Sequence, residues 1–172
     1  GYTEDSKVAA EFDITKYLKK GTNLIAFQTF RWSDGSYCED QDFWRLSGVA
    51  RECYLYARDN NIHVEDMHIT PTLTNNYEDG EALVKVTAKG NPIIDFEIFN
   101  ANGTSILKTK SNFKNRNIGS ARFMIRNVKK WTAETPYLYT LVATVMDRKK
   151  NVKEVIKQNL GFRKVEIKGS QL

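Results

Sequence analysis

The stretch RWSDGSYCEDQDFWRLSG at residues 31–48 holds Asp34, Glu39, Asp40 and Asp42 beside Arg31 and Arg45, with Trp32, Tyr37, Phe43 and Trp44 among them. Carboxylates this dense can accept hydrogen bonds from sugar hydroxyls or give oxygen ligands to a hard cation. As a pair they can cleave a glycosidic bond if acid and nucleophile stand about 5–5.5 Å apart. One of the two must also sit in a cleft that desolvates it and raises its pKa. A short exposed connection offers the spacing but little burial, so hydrolysis by this stretch alone is not expected. The competing reading of Asp42 is a turn cap or a partner of Arg45 or Arg51. Asp34, Glu39 and Asp40 read as turn formers and arginine partners. Trp32, Phe43 and Trp44 could line a sugar site, but packing of the connection onto its own scaffold is the expected role.

The segments on either side must position this stretch, and both read as strands. LIAFQTF at 24–30 is nearly continuous apolar sequence, which predicts a buried sandwich strand. VARECYLYAR at 49–58 alternates Val49, Arg51, Cys53 and Leu55 against Ala50, Glu52, Tyr54 and Tyr56, the period of a strand. Upstream, AEFDIT at 10–15 reads as another strand, followed by the turn KKGTN. The charged stretch is then a long connection between strands, the kind of place where binding groups sit on a rigid sheet.

DNNIH at 59–63 is a polar break and the expected domain boundary. Beyond it come seven strand signals: IHVEDMHITPTLT, EALVKVTAK, IIDFEIFN, SILKTK, ARFMIRNV, LYTLVATVMD and VIKQNLGF. Val84, Val86 and Ala88, like Phe96 and Ile98, alternate with charged or small residues, as in half-buried antiparallel strands. Asn75 through Gly80, Gly90-Asn91-Pro92, Asn100 through Gly103, Asn117-Ile-Gly119 and Asp147 through Asn151 read as turns, with Asp79-Gly80 and Asn102-Gly103 supplying positive φ. Seven short strands without a three-turn helix predict an immunoglobulin-like sandwich. His63 and His68, at odd spacing on one strand, should point to opposite faces and make no metal site.

Composition excludes little and suggests less. Of 172 residues, 41% are hydrophobic, 27% charged and 12% aromatic, ordinary for a globular protein. The net charge of +5 is spread over KKGTN, KTKSNFKNR, DRKKNVK and FRKVEIK rather than gathered into a stripe, so no nucleic-acid partner is expected. No apolar run approaches the ~20 residues of a membrane span, so no membrane partner is expected. Cys38 and Cys53 lack the spacing of a zinc site and read as free or buried thiols; a disulfide stays open without knowledge of the compartment. The chain opens GYTEDSKVAAEF, without an initiator Met or an apolar signal core, and reads as a piece of something longer.

Several motifs together resemble the non-catalytic N-terminal part of glycoside hydrolase family 2, in its β-galactosidase branch. GYTEDSKVAAEFDIT resembles the late strands of that family's jelly-roll sugar-binding domain, and LIAFQTFRWSDGSYCEDQDFWRLSGVAREC the strand, charged connection and closing strand. WTAETPYLYTL at 131–141 resembles the Trp-x-x-Glu-x-Pro-x-Leu-Tyr segment of the immunoglobulin-like domain. GFRKVEIKG at 161–169 resembles the last strand before the catalytic (β/α)8 barrel.

The resemblance implies an all-β chain in three parts: the C-terminal part of a galactose-binding-like jelly roll at 1–58, an immunoglobulin-like β-sandwich at 59–168, and the start of a linker at 169–172. It implies that Asp42, last in EDQD, contacts the galactosyl unit at the mouth of the barrel and helps hold a sodium ion. Magnesium is a second cation implied for the intact enzyme, and the fragment itself is expected to hold no cofactor. Both catalytic glutamates are expected in the barrel, so residues 1–172 alone should be inactive. The implied partners are that barrel, a galactoside substrate and, in some family members, further copies of the chain. SNFKNRNIGS is short where such members carry a long site-completing loop. The compartment stays open between cytoplasm and periplasm of a bacterium. A free-standing carbohydrate-binding or adhesion module is the alternative. Half a jelly roll should leave sheet edges and apolar faces unpaired, which makes 59–168 the expected stably folded unit.

Overall fold

The computed structural model describes residues 1–4, 8–38, 46–49, 51–113, 117–167 and 169. The chain divides into two compact units, Gly1–Leu55 and Tyr56–Leu172.

The described residues of Tyr56–Leu172 contain eight strands: β1 His63–Thr74, β2 Asp79–Lys89, β3 Ile93–Phe99, β4 Ser105–Lys110, β5 Asn112–Phe113, β6 Ile118–Ile125, β7 Tyr139–Met146 and β8 Val152–Leu160. They form two antiparallel four-stranded sheets, ordered β1-β2-β6-β5 and β4-β3-β7-β8. All seven expected strands are present, and only the two-residue β5 was not foreseen. Burial follows the alternation closely. Ala82, Val84, Val86 and Ala88 of β2 face Ile94, Phe96 and Ile98 of β3 and Leu141, Ala143 and Val145 of β7 across one buried core. Sheet-on-sheet packing of two such inner faces is the immunoglobulin-like arrangement.

Two turn expectations and one expectation about strand faces need correction. Gly80 lies inside β2 rather than in the turn; the positive φ values fall on Asn75, Asn76 and Tyr77. A Cβ on Gly80 would stand 2.7 Å from the Phe162 ring and 2.9 Å from Val128, so close packing requires the glycine there, not turn chirality. Gly119 is likewise a buried residue of β6. His63 and His68 share a face, because a bulge between Val64 and Asp66 resets the alternation and brings them opposite Lys89 and Lys85.

Gly1–Leu55 differs more from expectation. Among its described residues there is a single-turn 3-10 helix at Thr15–Tyr17 and a five-residue helix at Asp34–Cys38, but no strand. The described residues of AEFDIT, LIAFQTF and VARECYLYAR therefore form no ladder, and LIAFQTF is not buried: Leu24 is 93% exposed and Phe27 66%. An extended segment counts as a strand only when a neighbour takes up its N–H and C=O groups. No such neighbour lies beside these segments among the described residues. The helix at Asp34–Cys38 also puts helical turns into a stretch that reads as aperiodic.

Candidate functional site

In the charged connection, the Arg31 guanidinium lies 5.4 Å from the centre of the Trp32 ring. The Ser36 amide donates to the Ser33 carbonyl at 2.9 Å, and the Ser33 amide to Ser36 Oγ at 3.1 Å, which closes the short turn carrying Asp34. Trp32 and Tyr37 are exposed. Glu39, Asp40, Asp42, Phe43, Trp44 and Arg45 lie outside the described residues, so the structure neither assembles nor disperses the acidic cluster.

The described ionisable groups of the sandwich are arranged to hold chain segments. Asp59 accepts from the amides of Asn61 and Ile62, both at 2.9 Å, and these bonds hold its carboxyl below the ordinary range. Lys153 lies 3.4 Å from Asp59 and 3.9 Å from Asp147. Asp147 is held low by Asn151, whose side-chain and backbone N–H groups donate at 2.8 and 2.9 Å, and by the Lys149 amide. Glu154 accepts from the Val64 amide at 2.9 Å and pairs with Arg58 at 3.6 Å. Together these bonds clamp residues 56–62 onto the start of β1 and the β7–β8 turn.

A second group of contacts holds the segment after β8. Phe162 is fully buried under Gly80, and its carbonyl accepts from the Trp131 amide at 2.9 Å. The Arg163 guanidinium lies 5.1 Å from the centre of the Trp131 ring, and Trp131 forms an isolated bridge to Pro136. The Tyr139 hydroxyl accepts from the Lys129 amide at 2.9 Å, and its ring meets Phe162 edge-on at 5.6 Å. Burial pushes the Tyr139 pKa up, which keeps the hydroxyl neutral. This bond has the form of a tyrosine corner. Trp131, Pro136 and Tyr139 thus pack and bridge at one corner of the sandwich. Tyr77, Lys164 and Glu166 also meet here and were missed by sequence reasoning, although the alternation Phe162, Lys164, Glu166 was a readable sign of one shared face.

The His63 ring Nδ1 is 2.7 Å from the Asp59 carbonyl oxygen. Cys38 and Cys53 are exposed free thiols. Among the described residues no group of three or more His, Cys, Asp or Glu side chains could hold a metal, and no helix is long and apolar enough to cross a membrane.

Comparison with known proteins gives these clamps a context. Residues 62–163 match the family model described as Glycosyl hydrolases family 2, and residues 1–59 match that of its sugar binding domain. A beta-galactosidase of Priestia megaterium is 40% identical over 98% of this chain, and one of Pseudoalteromonas haloplanktis 39% identical over its whole length. The chain spans 17% and 18% of those two relatives. Among solved structures, a beta-glucuronidase of Bifidobacterium dentium superposes with a TM-score of 0.56 at 22% identity, covering 63% of this chain and 19% of its own. At that identity the likeness concerns the fold alone. Fold and sequence agree, and the chain belongs to glycosyl hydrolases family 2.

Proposed function

We propose that this chain is a non-catalytic N-terminal portion of a β-galactosidase whose catalytic barrel hydrolyses terminal β-D-galactosides with retention. The observation that carries this reading is the 40% identity to a beta-galactosidase across 98% of the chain, within a relative of which the chain spans 17%.

In this reading the sandwich is a spacer that fixes where one chain segment arrives and where the next departs. Asp42 supplies one carboxylate to the galactosyl unit and one oxygen ligand to sodium, a donor type that suits both. One carboxylate is not a cation site, so the remaining ligands belong to the barrel, as does any magnesium. Further copies of the chain are additional partners in this reading.

The test is kinetic. The parent protein should hydrolyse a nitrophenyl β-D-galactoside and not the matching glucuronide, while residues 1–172 release no nitrophenol. In the parent, Asp42→Asn should lower kcat/KM about 10–100-fold, the worth of one charged hydrogen bond, and weaken the response to sodium. Unchanged kinetics would remove Asp42 from the site. Calorimetric galactose binding by the isolated chain would favour a free-standing binding module, because one contact from one wall does not offset the cost of association.

A further inference from the structure

Tyr77 ends a run of three residues with positive φ, +50° at Asn75, +50° at Asn76 and +68° at Tyr77. Asparagine visits this region readily; a bulky aromatic residue is an outlier there. The turn itself does not call for tyrosine. It is closed by the Glu78 amide to the Asn75 carbonyl at 3.0 Å, by Asn75 Nδ2 to Asp79 at 3.1 Å, and by the Val128 amide to the Glu78 carbonyl at 2.9 Å.

The tyrosine ring packs against the core, and its hydroxyl adds a hold on the segment after β8. Its hydroxyl donates to Glu166, Lys164 pairs with the same Glu166 at 2.8 Å, and the Lys164 ammonium lies 5.5 Å from the centre of the Tyr77 ring. The Trp131 amide donates to the Phe162 carbonyl, and residues 161–167 join no ladder among the described residues. From Lys164 onward the segment keeps a period of two without a ladder. Lys164 and Glu166 turn to Tyr77, while Val165 and Ile167 are exposed.

We propose that Tyr77 occupies its unfavourable backbone conformation because its side chain latches the exit segment. The course of residues 163–167 away from the sandwich is then set by a Tyr77–Glu166–Lys164 clasp rather than by strand pairing. A strained residue held by its surroundings is a reason to look for such a role. The inference concerns this chain's own residues and stands whatever the parent hydrolyses.

Backbone 15N relaxation on the 172-residue chain tests it. An ordered backbone has an order parameter of about 0.85 and a flexible one falls below about 0.6. Residues 164–167 should be ordered in the wild type and become flexible in Tyr77→Phe, which removes the hydroxyl and keeps the ring packed against the core. Order parameters in β2, β3 and β7 should not change. Tyr77→Asn should loosen the segment as much and, by removing the ring, also lower the melting temperature. Wild-type order parameters at 164–167 in both variants would overturn the clasp, as would a wild-type segment that is already flexible.

Discussion

At the scale of single residues, the sandwich uses polar side chains mainly to tie backbone to backbone. Tyr139 stands at the start of β7 with its ring 4% exposed overall and its hydroxyl on the Lys129 amide. Removing the hydroxyl leaves that amide without its acceptor, a loss of about 1–3 kcal/mol where the donor stays away from water. Tyr139→Phe should therefore lower the urea midpoint without altering the slope, because the same surface is exposed on unfolding. An unchanged midpoint would show that water replaces the tyrosine and that the corner is held by the Phe162 contact alone. The WxxExPxLY segment was readable as structural from its residue types. The acceptor role of Tyr139 was not, since it depends on where Lys129 lies after folding. Asp42, the residue singled out most sharply by the sequence, lies outside the described residues and waits on kinetics.

At the scale of elements, every strand of the sandwich except the two-residue β5 was legible, most clearly β2, β3, β6 and β7, where one face is buried and a period of two is visible. Turns were less legible. Asp79-Gly80 has the composition of a hairpin turn, yet Phe162, eighty residues away, claims the glycine for packing. The bulge after Val64 reversed the histidine faces, and nothing local in HVEDMH announces it. The clamp around Lys153 was hidden for the same reason: Asp59 lies far in sequence from Asp147 and Lys153 of the β7–β8 hairpin and meets them only after folding. This clamp has a pH signature. The carboxyls of Asp59 and Asp147 are lowered in the fold, so their contribution is complete above the unfolded value of about 3.9 and is lost as pH falls through the folded values. The difference in urea midpoint between wild type and Asp147→Asn should accordingly be largest near neutral pH and shrink toward about pH 2. A difference that stays constant across that range would mean that the Asp147 charge adds nothing to the turn.

At the scale of the whole chain, the two units differ in what their sequences can do alone. Among its described residues, Tyr56–Leu172 closes a core of eighteen buried apolar residues between two sheets. Gly1–Leu55 carries comparable apolar patterning, with Leu24, Ile25, Phe27 and Phe30 in one run, but among its described residues none is buried and no ladder forms. Apolar character was therefore a sound guide to strands and burial in Tyr56–Leu172 and to neither among the described residues of Gly1–Leu55. Burial needs an opposing face, which is a property of the partner and not of the segment. The energetic consequence follows directly. Protection from exchange tracks buried contacts and paired amides, so residues 63–74, 79–89, 93–99 and 139–146 should exchange only through global unfolding. Amides at 8–30 should exchange within an order of magnitude of the unstructured rate in the same sample. Mass-spectrometric exchange on a proven monomer reads both regions at once. Uniform protection across the two units would mean that Gly1–Leu55 finds a packed state of its own, and the expectation that its apolar run stays exposed would fall.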